Sequence, residues 1–161
     1  EAGDEATGSL VLDALLSYKR RQATEKGIRW QCDARLPEDF PVKDTDLCII
    51  AGNILDNAVE ACERLQEKKW EDRFIQIYMG TVKKCFFLEV RNSTDIADSF
   101  NTEKSRKKDP QNHGLGLANI KAAAANYNGV VHMEAEGGVF TISVLLPLYH
   151  NQAIYDRKES I

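Results

Sequence analysis

Along this chain, stretches in which apolar residues return every three or four positions alternate with stretches in which they return every two. Ser9 stands ahead of the first helical stretch as an N-cap and Gly27 closes it, predicting a helix to about Lys26. Ile28, Trp30, Cys32 and Ala34 then alternate as a strand, and Pro37 and Pro41 mark a loop. From a cap at Asp44 or Thr45, residues Leu47, Ala51, Ile54, Ala58, Cys62 and Leu65 make one apolar stripe, predicting a helix to about Glu67. KKWED reads as polar punctuation before a strand at Phe74–Met79 and a longer one over CFFLEVRN. The pattern collapses from Ser93 to Asn112, a length that in a compact domain signals a functional or disordered loop. GLGLANIKAAAANYN follows as a Gly-rich turn leading into an Ala-rich helix, and two strands flank Gly137-Gly138. The order α-β-α-β-β-loop-α-β-β predicts an α+β fold, with helices packed on one face of a mixed, mostly antiparallel sheet. Residues 1–8 read as a mobile leader to a domain over 9–148, and residues 149–161 as a tail.

Four features stand out against that pattern. Asn53, Asn57 and Glu60 form a polar line on the second helix at i, i+4 and i+7. Asn is a mediocre helix former, so the line is either a solvated face or a site. A carboxamide oxygen is a neutral, hard ligand of the kind Mg²⁺ accepts alongside water and phosphate. Gly114 and Gly116, directly before a helix, allow a close backbone approach, and the helix start offers unpaired N–H groups to an anion. The Arg91-Asn92-Ser93-Thr94-Asp95 run is either a plain turn or a polar group aimed into a pocket from a strand end. Lys104, Arg106, Lys107 and Lys108 are either solvated surface or a cover for a polyphosphate, and His113, next to the glycines, can donate to a phosphate. His132 and His150 read as structural or exposed, and no histidine stands in a helical setting suited to accepting a phosphoryl group.

Composition narrows these options. The net charge of −4 and pI near 5.4 disfavour general nucleic-acid or anionic-membrane binding. No apolar run approaches the ~20 residues of a membrane helix, no secretory leader pattern is present, and an opening Glu is expected of an excised piece. Cys32, Cys48, Cys62 and Cys85 lack zinc-site spacing and read as small buried hydrophobes in a reducing cytoplasm. A Rossmann turn is excluded by Asn119 in place of a third glycine and by a polar loop in place of the preceding strand, and there is no Walker P-loop.

In order along the chain, NILDNAVEA, a polar run after a strand, a long loop, NHGLGLANI and the closing GGVFTISVLLPL resemble the GHKL superfamily of ATP-binding domains. That superfamily includes sensor histidine kinases, gyrase and mismatch-repair ATPases. LVLDALLSYKRRQATEKGI is similar to the Agr-type peptide-sensing kinases, which implies quorum sensing. The resemblance implies a two-layer α/β sandwich of Bergerat type with an ATP lid near 93–113. It implies ATP and Mg²⁺ as cofactors, Asn57 as the metal ligand assisted by Asn53, and phosphate binding by His113, Gly114, Leu115, Gly116 and Leu117. Asn92 takes the place of the Asp that reads the adenine amino group, and the glycines that usually follow that Asp are replaced by Ser93-Thr94-Asp95-Ile96. Asn53 stands where hydrolysing relatives keep a Glu; an amide is no general base, which favours kinase chemistry. The implied function is the catalytic domain of a cytoplasmic two-component histidine kinase. It would donate the ATP γ-phosphate to a histidine on a separate helical dimerisation domain, and through that domain serve a response regulator, without touching nucleic acid or membrane. An anti-sigma-factor-like serine kinase and a non-catalytic nucleotide-sensing domain are the alternatives.

Overall fold

The computed structural model of the protein describes residues 6–65, 67–95 and 114–148. Helix α1 (Leu10–Glu25) starts as its sequence predicts: the Ser9 hydroxyl accepts from Leu12 N–H at 3.2 Å, and Gly27 ends the turn with φ 73°. Strand β1 (Arg29–Ala34) leads into helix α2 (Asp44–Glu63), whose apolar stripe is buried along its whole length. Helix α2 is the crossover that lets β1 pair in parallel with β2 (Phe74–Val82), Arg29 opposite Phe74 through Ala34 opposite Met79. The remaining strands, β3 (Cys85–Ser93), β4 (Val130–Glu136) and β5 (Val139–Pro147), join antiparallel in the sheet order β1-β2-β3-β5-β4. Helix α3 (Gly114–Ala125) packs against α2 and β4.

Period-two alternation decides which sheet face meets the helices. Ile75, Ile77 and Met79 of β2, Phe86, Leu88 and Val90 of β3, and Ile142, Val144 and Leu146 of β5 are buried. They share the core with Leu47, Ile50, Ile54 and Leu55 of α2 and Ile120 of α3. Their sequence neighbours Gln76, Arg91 and Thr141 form one row on the opposite face, with Gln31 of β1 at its end. Among the described residues the fold is the α+β arrangement of helices against a mixed, mostly antiparallel sheet that the element order predicts. No helix of the described residues is long and apolar enough to cross a membrane.

Three local expectations are corrected. Neither Asp44 nor Thr45 caps α2: Lys43 occupies the cap position without a side-chain bond, and its N–H donates to the Tyr127 hydroxyl at 3.0 Å. That phenol also hydrogen-bonds Asp46, so a side chain following α3 does the capping. Helix α2 ends at Glu63, before the expected Glu67, and Glu67–Asp72 forms a 3₁₀ helix, because the polar run offers no apolar stripe to continue. Only Cys62 of the four cysteines is buried; Cys48 and Cys85 are half-buried, and Cys32 is exposed on β1, an edge strand of the sheet.

Candidate functional site

The two helical asparagines are neither core nor bulk surface. Asn53 and Asn57 are half-buried, while Glu60, one turn further along, is exposed and belongs to the solvated side. Asn53 donates its Nδ2 proton to the Ile49 carbonyl at 2.7 Å, which turns its Oδ1 away from its own helix backbone. What it faces is the first turn of α3. A Cβ built on Gly116 would stand 3.5 Å from Asn53 Oδ1 and 3.7 Å from Asn57 Oδ1. Asn57 Nδ2 lies at 3.8 Å from the same point, so two neutral carboxamides, Asn57 broadside, converge on backbone that carries no side chain.

The sequence pattern places the glycines in a turn ahead of the helix. Instead Gly114 is the first residue of α3, so Gly114, Leu115, Gly116 and Leu117 are its opening turn. The first four N–H groups of a helix have no intrahelical acceptor, so this is the place where α3 can donate to a ligand. The dipole of α3 adds a partial positive charge at the same end. Leu117 is half-buried. His113 and the basic residues Lys104, Arg106, Lys107 and Lys108 lie outside the described residues, as does most of the expected lid.

Asn92 is not in a turn. It lies inside β3, opposite Ile75 of β2 and Phe140 of β5, on the sheet face that meets the helices, and is 2 % exposed. Its Nδ2 donates to the Ser93 carbonyl at 2.9 Å, turning Oδ1 the other way. Strand pairing continues past Asn92: Ser93 pairs with Val139, and Thr94 N–H reaches the Gly138 carbonyl at 2.9 Å. Helix α2, which carries the asparagine pair, packs on β3, which carries Asn92. His132 is exposed beside Glu134, and His150 is outside the described residues.

Sequence reading missed two features close to this site. Lys19 of α1 is buried and pairs with Asp56, the neighbour of Asn57, which fastens α1 to the asparagine helix. Ser93 hydrogen-bonds to both α2 and β2. Helical spacing gives no sign of either, because each joins elements far apart in the chain.

The donor set suits a hard divalent cation shared with a polyphosphate. Both oxygens are neutral, so the cation's charge stays available to the anion. Gly116 leaves open the space a side chain would fill. Among the described residues no group of three His, Cys, Asp or Glu side chains forms a metal cluster.

Comparison with known proteins bears on the family and the fold. The model of the GHKL domain family matches residues 42–147. No curated protein matches the chain. Among solved structures, a nucleotide-free form of the catalytic domain of histidine kinase ThkA superposes with a TM-score of 0.65 at 15 % identity, covering 88 % of this chain and 93 % of that one. A second form of the same domain gives 0.61 at 16 %, covering 84 % and 92 %. Histidine kinase AdeS of Acinetobacter baumannii gives 0.63 at 14 %, covering 87 % of this chain and 64 % of that one, so this chain spans under two thirds of AdeS. At such identities the likeness is one of fold.

Proposed function

Because this chain belongs to the GHKL domain family, we propose that it is the ATP-binding catalytic domain of a sensor histidine kinase. The observation that carries the proposal is the convergence of the Asn53 and Asn57 carboxamides on the side-chain-free start of α3. On this reading Asn57, assisted by Asn53, holds Mg²⁺, which supplies charge neutralisation to the triphosphate. The N–H groups of Gly114, Leu115, Gly116 and Leu117 bind phosphate oxygens, with His113 beside them. Asn92 Oδ1 accepts a hydrogen bond from the adenine amino group. Phosphoryl transfer needs positioning and charge stabilisation more than covalent help from the protein, and these residues supply both. No general base is needed, since the accepting imidazole on the partner helical domain is itself a nucleophile. The domain would work at the cytoplasmic side of its parent, serving a response regulator through that partner.

Calorimetric titration with ATP, with and without Mg²⁺, tests the binding step. Wild type binds ATP more tightly when Mg²⁺ is present. Asn57→Ala loses that Mg²⁺-dependent gain, by at least the roughly 10–100-fold that removing even an outer partner costs a metal site. Equal Mg²⁺ dependence in wild type and Asn57→Ala would remove Asn57 from the role.

A further inference from the structure

Ser93 joins three elements immediately beside Asn92. Its hydroxyl oxygen accepts from Phe74 N–H of β2 at 3.1 Å and lies 3.3 Å from Cys62 Sγ of α2. The thiol in turn lies 3.6 Å from the Phe74 carbonyl and 3.8 Å from the Ser93 carbonyl. Burial, the largest influence on it, pushes this thiol above its ordinary value, so it stays a neutral S–H that can donate to those carbonyls. The β2–β3 register ends at Ile75 opposite Asn92, and the Ser93 hydroxyl takes up the next backbone donor, Phe74 N–H. The Ser93 carbonyl is also the acceptor for Asn92 Nδ2.

We infer that Ser93, seated by Phe74 and Cys62, is a positioning residue that holds the Asn92 carboxamide oxygen-outward and makes the site select 6-amino over 6-oxo purines. The inference rests on the nucleotide reading above. An Asn side chain differs from Asp in having two ends of nearly the same shape, one accepting and one donating. Left free, Asn92 could turn over and offer Nδ2 to a 6-oxo group. The Ser93 carbonyl only accepts, so turning over would set Asn92 Oδ1 against it and forfeit a buried hydrogen bond. The peptide that carries this carbonyl is tied on one side to Gly138 through Thr94 N–H, and the Ser93 hydroxyl adds the hold on the other side, to β2 and α2.

The test measures dissociation constants for Mg²⁺-ATP and for the inosine triphosphate complex, whose purine is 6-oxo. Wild type should favour ATP by roughly 10–100-fold, the effect of one mismatched buried polar pair. In Ser93→Ala the preference should shrink to within about 5-fold, mainly because inosine triphosphate binds more tightly once the carboxamide can turn. Ser93→Thr, which keeps the hydroxyl, should retain the preference. Damage to the fold alone would weaken both nucleotides and leave their ratio intact. Asp has no donating end, so Ser93→Ala made in an Asn92→Asp background should leave the ratio unchanged. Should Ser93→Ala not fold, Cys62→Ala removes one of the two seats and should move the ratio in the same direction. A wild-type ratio in folded Ser93→Ala or Cys62→Ala overturns the positioning role while the nucleotide reading stands. Failure of wild type to bind ATP overturns both.

Discussion

Gly116→Ala should raise the melting temperature of this domain and at the same time deprive it of Mg²⁺-ATP. The two effects come from the same methyl group. In the protein without ligand, a Cβ at position 116 meets its nearest neighbours, the Asn53 and Asn57 carboxamides, at 3.5–3.8 Å, which is ordinary contact. Nothing need move. The residue is helical, and replacing glycine by alanine in a helix gains up to about 1 kcal/mol. The same methyl stands between the two carboxamides and the first turn of α3, where the proposal puts the metal and phosphates. Forcing a ligand past an added methyl costs about 1–3 kcal/mol, so affinity should fall by roughly 10–100-fold. Thermal melts and calorimetry on one preparation check both halves. Unchanged Mg²⁺-ATP affinity in Gly116→Ala would place the nucleotide elsewhere.

Gly129 predicts the reverse outcome. A Cβ there would stand 2.4 Å from Leu146 Cδ2, 2.8 Å from the Ala124 carbonyl oxygen and 3.1 Å from the Leu145 carbonyl oxygen. Leu146 is fully buried in the core, and the two carbonyls belong to the end of α3 and to β5, so relief requires the helix and the sheet to part. Gly129 N–H also donates to the Ala124 carbonyl at 2.9 Å, which ties the glycine to the end of α3. Overpacking of this kind costs about 2–3 kcal/mol. In a domain of this size that lowers the melting temperature by roughly 4–12 °C. Nucleotide affinity, measured well below the melt, should change little, because no proposed ligand contact lies at Gly129. A melting temperature equal to wild type would show that α3 can shift freely on the sheet.

These two glycines also show how far the sequence could be read. Gly116 stands out in the sequence because it lies in a Gly-Leu-Gly-Leu run next to a helix, whereas its close approach to the asparagine pair joins two helices and has no local pattern. Gly129 gave no such signal. Its constraint comes from Leu145 and Leu146, which reach it through the sheet. The same division runs through the rest of the fold. The α2 stripe, the strand alternation and the Ser9 cap are local patterns, and each appears in the structure where its period or chemistry places it. The α2 cap differs from its local pattern because the group that completes it, the Tyr127 hydroxyl, follows α3 in the chain. Cys32 is exposed where its alternation reads as buried, because a two-residue period does not reveal that β1 lies at the sheet edge. Asn53 and Asn57 stood out as polar residues at helical spacing, whereas Ser93 looked like the start of a loop because the elements it joins are 19 and 31 residues away in sequence.

The most direct test of the catalytic proposal is phosphoryl transfer itself. The purified domain is incubated with Mg²⁺ and ATP labelled on the γ-phosphate, alone and with the helical phosphoacceptor domain of its parent kinase. The account predicts no label on this chain and label on the helical domain only when both proteins are present. That label should be lost in acid and kept in alkali, as a phosphohistidine is. Acid-stable label would identify a serine kinase, and an unlabelled partner despite demonstrated Mg²⁺-ATP binding would contradict the catalytic role.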